Sequence, residues 1–150
     1  MPRQHPPLHL GRSAGRQEPA VVIGADTIVL CGNKIFGKPS SKKDAAGMLG
    51  KLSGRRHSVI TGVAVKAVPA GRLLTDSVVT SVKFKRLSEK EIKDYVESAE
   101  PMDKAGAYAA QGKASAFIEE IRGCFFNVVG LPLNRLASML KKTGVPATRL

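Results

Sequence analysis

Residues 21–30 read Val-Val-Ile-Gly-Ala-Asp-Thr-Ile-Val-Leu, and this stretch decides the fold class. It is short, almost wholly apolar and rich in β-branched side chains, which lose freedom in a helix and suit a pleated strand. It predicts a buried strand. Downstream, Gly32-Asn33 turns the chain into a short strand at Ile35-Phe36. Ser41 with Asp44 three residues on has the form of a capping box. The helix that follows places Ala45, Met48, Leu49 and Leu52 on one face and stops at Gly54. Residues 57–68 alternate, with Val59, Thr61, Val63 and Val65 on one side, and so predict a second long strand. A turn at Pro69 to Gly71 leads to a more polar strand over 74–84.

Ser88 and Glu91 form a second capping box, opening a helix that buries Ile92, Tyr95 and Val96. Residues 117–121 and 125–129 read as a hairpin around Arg122-Gly123. Pro132 suits the first turn of a last helix carrying Leu133, Leu136 and Leu140. No internal repeat is present. This order predicts an α/β domain: a mixed sheet flanked by helices.

The chain of 150 residues is one domain by length. Its apolar fraction of 43% with 24% charged residues suits a globular protein, and it contains no apolar run able to span a bilayer. Residues 1–19 are rich in Pro, Gly, Arg and His without apolar period, and are expected to be a disordered tail preceding a domain over 20–150. Pro2, Pro6 and Pro7 oppose the amphipathic helix of a transit peptide. Cys31 and Cys124 have no metal-ligand spacing and are too few for a disulfide framework, which makes a reducing cytoplasm the expected location. The net charge of +12 attracts polyanions, either nucleic acid or phosphorylated small molecules. The basic residues are scattered and aromatics are 5% of the chain, which disfavours a nucleic-acid surface.

Three segments carry more than packing. Asp26 is the one charge in its strand run; it either closes a turn through backbone amides or stands at a sheet edge beside a ligand crevice. Lys38, between Gly37 and Pro39, is held extended on a stiff loop, as a phosphate clamp or as an ordinary surface lysine. Residues 100–112 (EPMDKAGAYAAQG) set Asp103 and Lys104 among small residues that let backbone amides approach a ligand. Gln111, both donor and acceptor, can read a nucleobase edge. His57 can titrate near neutrality and is read as structural, while Met48 and Met102 are read as packing and loop residues.

In order, GADT (24–27), GKP (37–39), LSGRRHSVITGVAV (52–65), EPMDKAGAYAAQG (100–112) and FFNVVGLPL (125–133) resemble the Maf nucleotide pyrophosphatases. The resemblance implies a Maf-like, ITPase-like fold with a nucleotide-binding cleft. It implies cleavage of a nucleoside triphosphate to monophosphate and pyrophosphate with a divalent cation, Mg or Mn. It makes Asp26 the catalytic carboxylate and a metal ligand, Lys38 and Lys104 phosphate contacts, and Thr27 and Gln111 specificity residues, with Asp103 in the same motif. Thr27 after Asp26, together with DKAGAYAAQG, resembles the subgroup that prefers dTTP and UTP. A homodimer is a further implication of the resemblance. The family's Ser-x-Ser-Pro-Arg-Arg motif, first strand and first helix have no counterpart in residues 1–20. The alternative expectation is therefore a catalytically impaired nucleotide- or partner-binding remnant of the same family.

Overall fold

The computed structural model describes residues 18–144. Of the tail expected over 1–19, residues 1–17 lie outside the described residues. Strands β1 (Ala20–Cys31), β2 (Lys34–Phe36), β3 (Arg56–Val68), β4 (Leu73–Phe84) and β5 (Ile118–Arg122) form one sheet in the order β2-β1-β3-β4-β5. Helices α1 (Lys42–Leu52), α2 (Glu89–Glu97), α3 (Phe125–Val129) and α4 (Leu133–Lys142) flank it. The α/β class is as expected. Where a mixed sheet was expected, each described pairing is antiparallel. Short turns join β1 to β2 and β3 to β4, and such connections return the chain antiparallel.

The long strand β3 has the expected alternation, with Val59, Thr61, Val63 and Val65 buried. Both helix starts are as expected, with one difference in detail. Ser88 and Glu91 exchange the full pair of capping hydrogen bonds. At α1 the Asp44 amide donates to Ser41 Oγ, but the Asp44 carboxylate accepts from the Ser40 amide instead of returning to Ser41.

Two expectations are corrected. Residues 125–129 are helix α3, not the second arm of a hairpin. The β-branched pair Val128-Val129 suggested a strand, but Pro132 is close behind and Gly130, at φ 126°, stops a single helical turn there. The buried strand expected over 21–30 is buried only toward its carboxyl end, at Val29 and Cys31. Val22 is 59% and Ile23 43% exposed. The reason lies in pairing: β2 covers only Val29 to Cys31, and among the described residues no strand lies against the outer edge of β1 from Ala20 to Ile28.

The core divides in two. The larger cluster gathers Val29, Phe36, Leu49, Leu52, Val59, Val82, Phe84, Tyr95 and Phe117 between the sheet and α1 and α2. The smaller joins Val63 and Val65 to Leu136, Met139 and Leu140 of α4. Between them the sheet buries hydroxyls instead of methyls, at Thr61 and Thr80. The Arg135–Asp76 ion pair (2.6 Å) and a hydrogen bond from Arg72 to the Lys142 carbonyl (3.0 Å) tie α4 to β4 and the turn before it.

Candidate functional site

A cleft of about 220 Å³ opens between β1, α3 and two loops. Asp26, Thr27, Lys38, Asp103 and Lys104 line it, with Val29, Val59 and Tyr108 beneath and Val129 and Gly130 on the far side. Typical small-molecule sites hold roughly 300–1,000 Å³. The cleft is therefore smaller than a typical complete small-molecule site.

Five of the six residues singled out from sequence meet here although they span residues 26 to 104. The sixth, Gln111, is exposed in the turn after Ala110 and is not among the lining residues. Asp26 lies within β1, paired with Gly62 of β3, so it does not close a turn. One of its carboxylate oxygens accepts from the Thr27 amide at 2.9 Å. Lys38 is exposed, while the Pro39 after it is buried and anchors the loop.

The two loops are bound to each other through the backbone: the Gly106 amide donates to the Gly37 carbonyl at 3.0 Å. This bond sets the GKP and DKAGAY segments side by side, and with them Lys38 and Lys104. Only glycine serves at 106. Its φ is +70°, and a Cβ there would lie 2.9 Å from Val29 Cγ2. Lys104 Nζ donates to Asp103 Oδ1 at 2.9 Å. The Lys104 ammonium, helped by the charge of Lys38, holds the Asp103 carboxyl below the usual aspartate range, so Asp103 is ionised at neutral pH.

Behind the loop stand residues whose part the sequence did not reveal. Tyr108 is buried, and its hydroxyl meets His57 Nε2 at 2.9 Å. His57 stacks edge-on against Phe84 and Tyr108, and burial lowers its pKa to about 4. It is neutral at physiological pH and structural, as expected. The Tyr95 hydroxyl accepts from the Ala109 amide at 3.1 Å. Both Glu100 carboxylate oxygens accept from the Lys113 amide, and a Cβ at Gly112 would collide with that carboxylate. A Gly placed twelve residues after a Glu was the only sequence signal for this clasp.

The opposite wall rests on a chain of polar contacts. Thr27 Oγ1 lies 2.9 Å from Thr61 Oγ1, and Thr61 Oγ1 donates to the Asn127 carbonyl at 3.3 Å. The Asn127 amide donates to the Val59 and Val78 carbonyls and to Thr80 Oγ1 at 3.0–3.1 Å. Thr80 in turn donates to the Cys124 carbonyl at 2.9 Å. Asn127 is fully buried and its Oδ1 has no partner. An unsatisfied buried acceptor costs about 1–3 kcal/mol. Its amide reaches groups on two strands and so fixes α3 over the seam between the two core clusters.

Across residues 8–143 the sequence matches the family described as Maf-like protein. The chain belongs to the Maf family. The match begins within the amino-terminal segment 1–19. Among its Maf relatives, a dTTP/UTP pyrophosphatase of Clostridium botulinum (strain Loch Maree / Type A3) is 50% identical over 136 residues, covering 91% of this chain and 70% of that protein. The dTTP/UTP pyrophosphatase of the Kyoto / Type A2 strain is 54% identical over 129 residues, covering 86% and 66%. One from Pelotomaculum thermopropionicum is 53% identical over 131 residues, covering 87% and 69%. This Maf chain thus spans about two thirds of the length of the curated relatives it matches.

Metal binding can be tested on the residues present. Among the described residues no cluster of three or more His, Cys, Asp or Glu side chains could cage an ion. The cleft offers two carboxylates, Asp26 and Asp103. That set does not suit a structural zinc or calcium site. It fits an ion such as Mg²⁺, which keeps waters and binds through one or two carboxylates together with substrate phosphates. Among the described residues no helix is long and apolar enough to cross a membrane.

Proposed function

We propose that this protein hydrolyses a pyrimidine nucleoside triphosphate, dTTP or UTP, to the monophosphate and pyrophosphate. The observation that carries the reading is the cleft itself, which sets one exposed carboxylate on a strand opposite two lysines on a pair of cross-linked loops. The names of the relatives, at about half identity, supply the substrate class.

Lys38 and Lys104 lie where they can offset the charge of the triphosphate, and Asp103 pairs with the Lys104 ammonium. Asp26 has one oxygen engaged by the Thr27 amide, which orients the other toward a water. That carboxylate positions the water and takes its proton as the water oxygen bonds to phosphorus and the α–β bridging oxygen departs with pyrophosphate. A divalent ion bound by Asp26, with Asp103 nearby, would neutralise charge developing on the phosphates. Thr27 lines the cleft beside Asp26 and is assigned to recognition of the base. Gln111 can share that role only if the turn carrying it moves inward.

A panel of nucleoside triphosphates with pyrophosphate release as the readout tests the proposal. Release from UTP and dTTP well above that from CTP and purine triphosphates is the expected result. Preference for a purine or methylated guanine substrate would overturn the assignment.

A further inference from the structure

Among the described residues two non-glycine residues have left-handed backbone, Ala99 at φ 60° and Ala107 at φ 61°, and they bracket the segment that carries Asp103 and Lys104. Ala99 closes α2, where helix ends commonly take this form. Ala107 lies in the cleft loop itself, directly after Gly106, which is also left-handed at +70°, and it is fully buried. A Cβ makes this backbone costly, and it persists only where the surroundings over-determine it, often at ligand clamps. Here the grip comes from both sides. Before the pair, the Ala107 amide donates to the Lys104 carbonyl at 3.1 Å and the Gly106 amide to the Gly37 carbonyl. After it, the Tyr108 hydroxyl lies 2.9 Å from His57 Nε2 and the Tyr108 ring 4.7 Å from that of Phe84. Tyr108 thus floors the cleft with its ring while its hydroxyl is spent on a buried imidazole.

We propose that Tyr108 is a positioning residue: anchored on His57, it holds Ala107 left-handed and so keeps Lys104 set in the cleft to grip a phosphate chain. The inference rests on the pyrophosphatase reading and deepens it. Both ends of the strained turn are fixed, at Gly37 and at His57, so Ala107 has no way to relax. Without the second anchor Ala107 can return to an ordinary negative φ. The turn that its amide closes on the Lys104 carbonyl then opens, and the lysine is no longer held. A lysine that must be ordered by its ligand binds that ligand more weakly, because the ordering entropy is lost at the moment of binding. The loss falls on the phosphates, which Lys104 faces, and Tyr108 acts through that residue alone.

The test measures calorimetric affinity for inorganic tripolyphosphate, which carries the phosphate chain without a base, beside pyrophosphate release from UTP. Tyr108→Phe keeps the ring and removes only the hydroxyl. Its affinity for tripolyphosphate is expected to fall roughly tenfold, the worth of one hydrogen bond, with KM for UTP rising in step. His57→Gln sets an amide where Nε2 stood and keeps the affinity. Lys104→Ala weakens binding too, and adding Tyr108→Phe to it takes nothing further away. A merely structural tyrosine would lower the melting temperature and leave the affinity of the folded protein unmoved, and that result overturns the proposal. So do an additive loss in the double variant, a His57→Gln protein as weak as Tyr108→Phe, and a wild type that binds no tripolyphosphate. If Tyr108→Phe does not fold, His57→Leu, which strips the hydroxyl of its partner, carries the same comparisons. Tripolyphosphate binding as expected with no pyrophosphate release from UTP would sink the hydrolytic reading and leave this one standing. Release from UTP with an affinity that Tyr108→Phe leaves unmoved would do the reverse.

Discussion

The two walls of the cleft are built by different means. The loop wall, carrying Lys38, Asp103 and Lys104, is held by backbone: a Gly106 to Gly37 hydrogen bond, a left-handed glycine and amides gathered by Tyr95 and Glu100. The strand wall, carrying Asp26 and Thr27, is held by side chains that reach across β3 and β4 to α3. Backbone devices need particular small residues within each segment, so GKP and DKAGAY are compact motifs although the Gly106–Gly37 bond joins distant parts of the chain. Side-chain relays join residues far apart in the chain, here 34 between Thr27 and Thr61 and 66 between Thr61 and Asn127, and leave no local pattern.

The sharpest way to break this contrast is Asp26→Asn, which keeps the strand wall's shape and removes its charge. Turnover is expected to fall roughly 10²-fold or more with an unchanged melting temperature. Near-normal pyrophosphate release from the variant would reduce Asp26 to a structural residue.

The base of the loop wall is expected to be acid-sensitive through His57. Its native pKa near 4 lies below the ordinary 6.5, so the unfolded chain takes up the proton first as pH falls. The neutral buried ring costs nothing above pH ~7, and stability drains away between about pH 6.5 and 4, by about 3 kcal/mol in all. Denaturant melts across that range check the sign. His57→Gln should flatten the profile, and a wild type equally stable at pH 7 and pH 4.5 would contradict the account.

Gly106→Ala strains the loop wall alone. The added Cβ meets Val29 in a left-handed backbone, and a loss of about 1–3 kcal/mol is expected, with KM for triphosphate raised as the lysines separate. Asn127→Ala is the counterpart on the strand wall. It removes the Asn127 donor from the Val59 and Val78 carbonyls and should cost a similar 1–3 kcal/mol, but should disturb base preference more than phosphate affinity. Thermal melts paired with KM measurements separate the two. If both variants shift the same kinetic constant, the walls do not act independently.

The smallest effect is expected at Gln111, which is exposed and outside the lining. Gln111→Ala should change the UTP-over-CTP ratio by less than about twofold, the scale of a surface substitution. A larger change would mean that the turn carrying Gln111 closes over the bound base.

How much could be read from the chain follows the same division. The five lining residues were singled out through the Maf resemblance of their motifs, while the strand period over 57–68 and the capping serines 41 and 88 were legible because each depends on neighbours a few positions away. Residues 125–129 misled for the same reason: their β-branched pair argued locally for a strand, while Gly130 and the helix's seat over Thr80 and Thr61 decided otherwise. The apolar run 21–30 likewise announced a strand correctly but not its exposure, which depends on which strands lie beside it.

By itself the sequence determined the α/β class, since period, capping and glycine placement are local physics, and its family motifs pointed to the charged groups at the cleft. Only the tertiary structure decided that Gln111 stands apart, that Tyr108 leans on a neutral histidine, and that Thr27 meets Thr61. Those outcomes depend on which buried donors find which acceptors once the chain is packed, and no stretch of sequence contains both ends of such a bond.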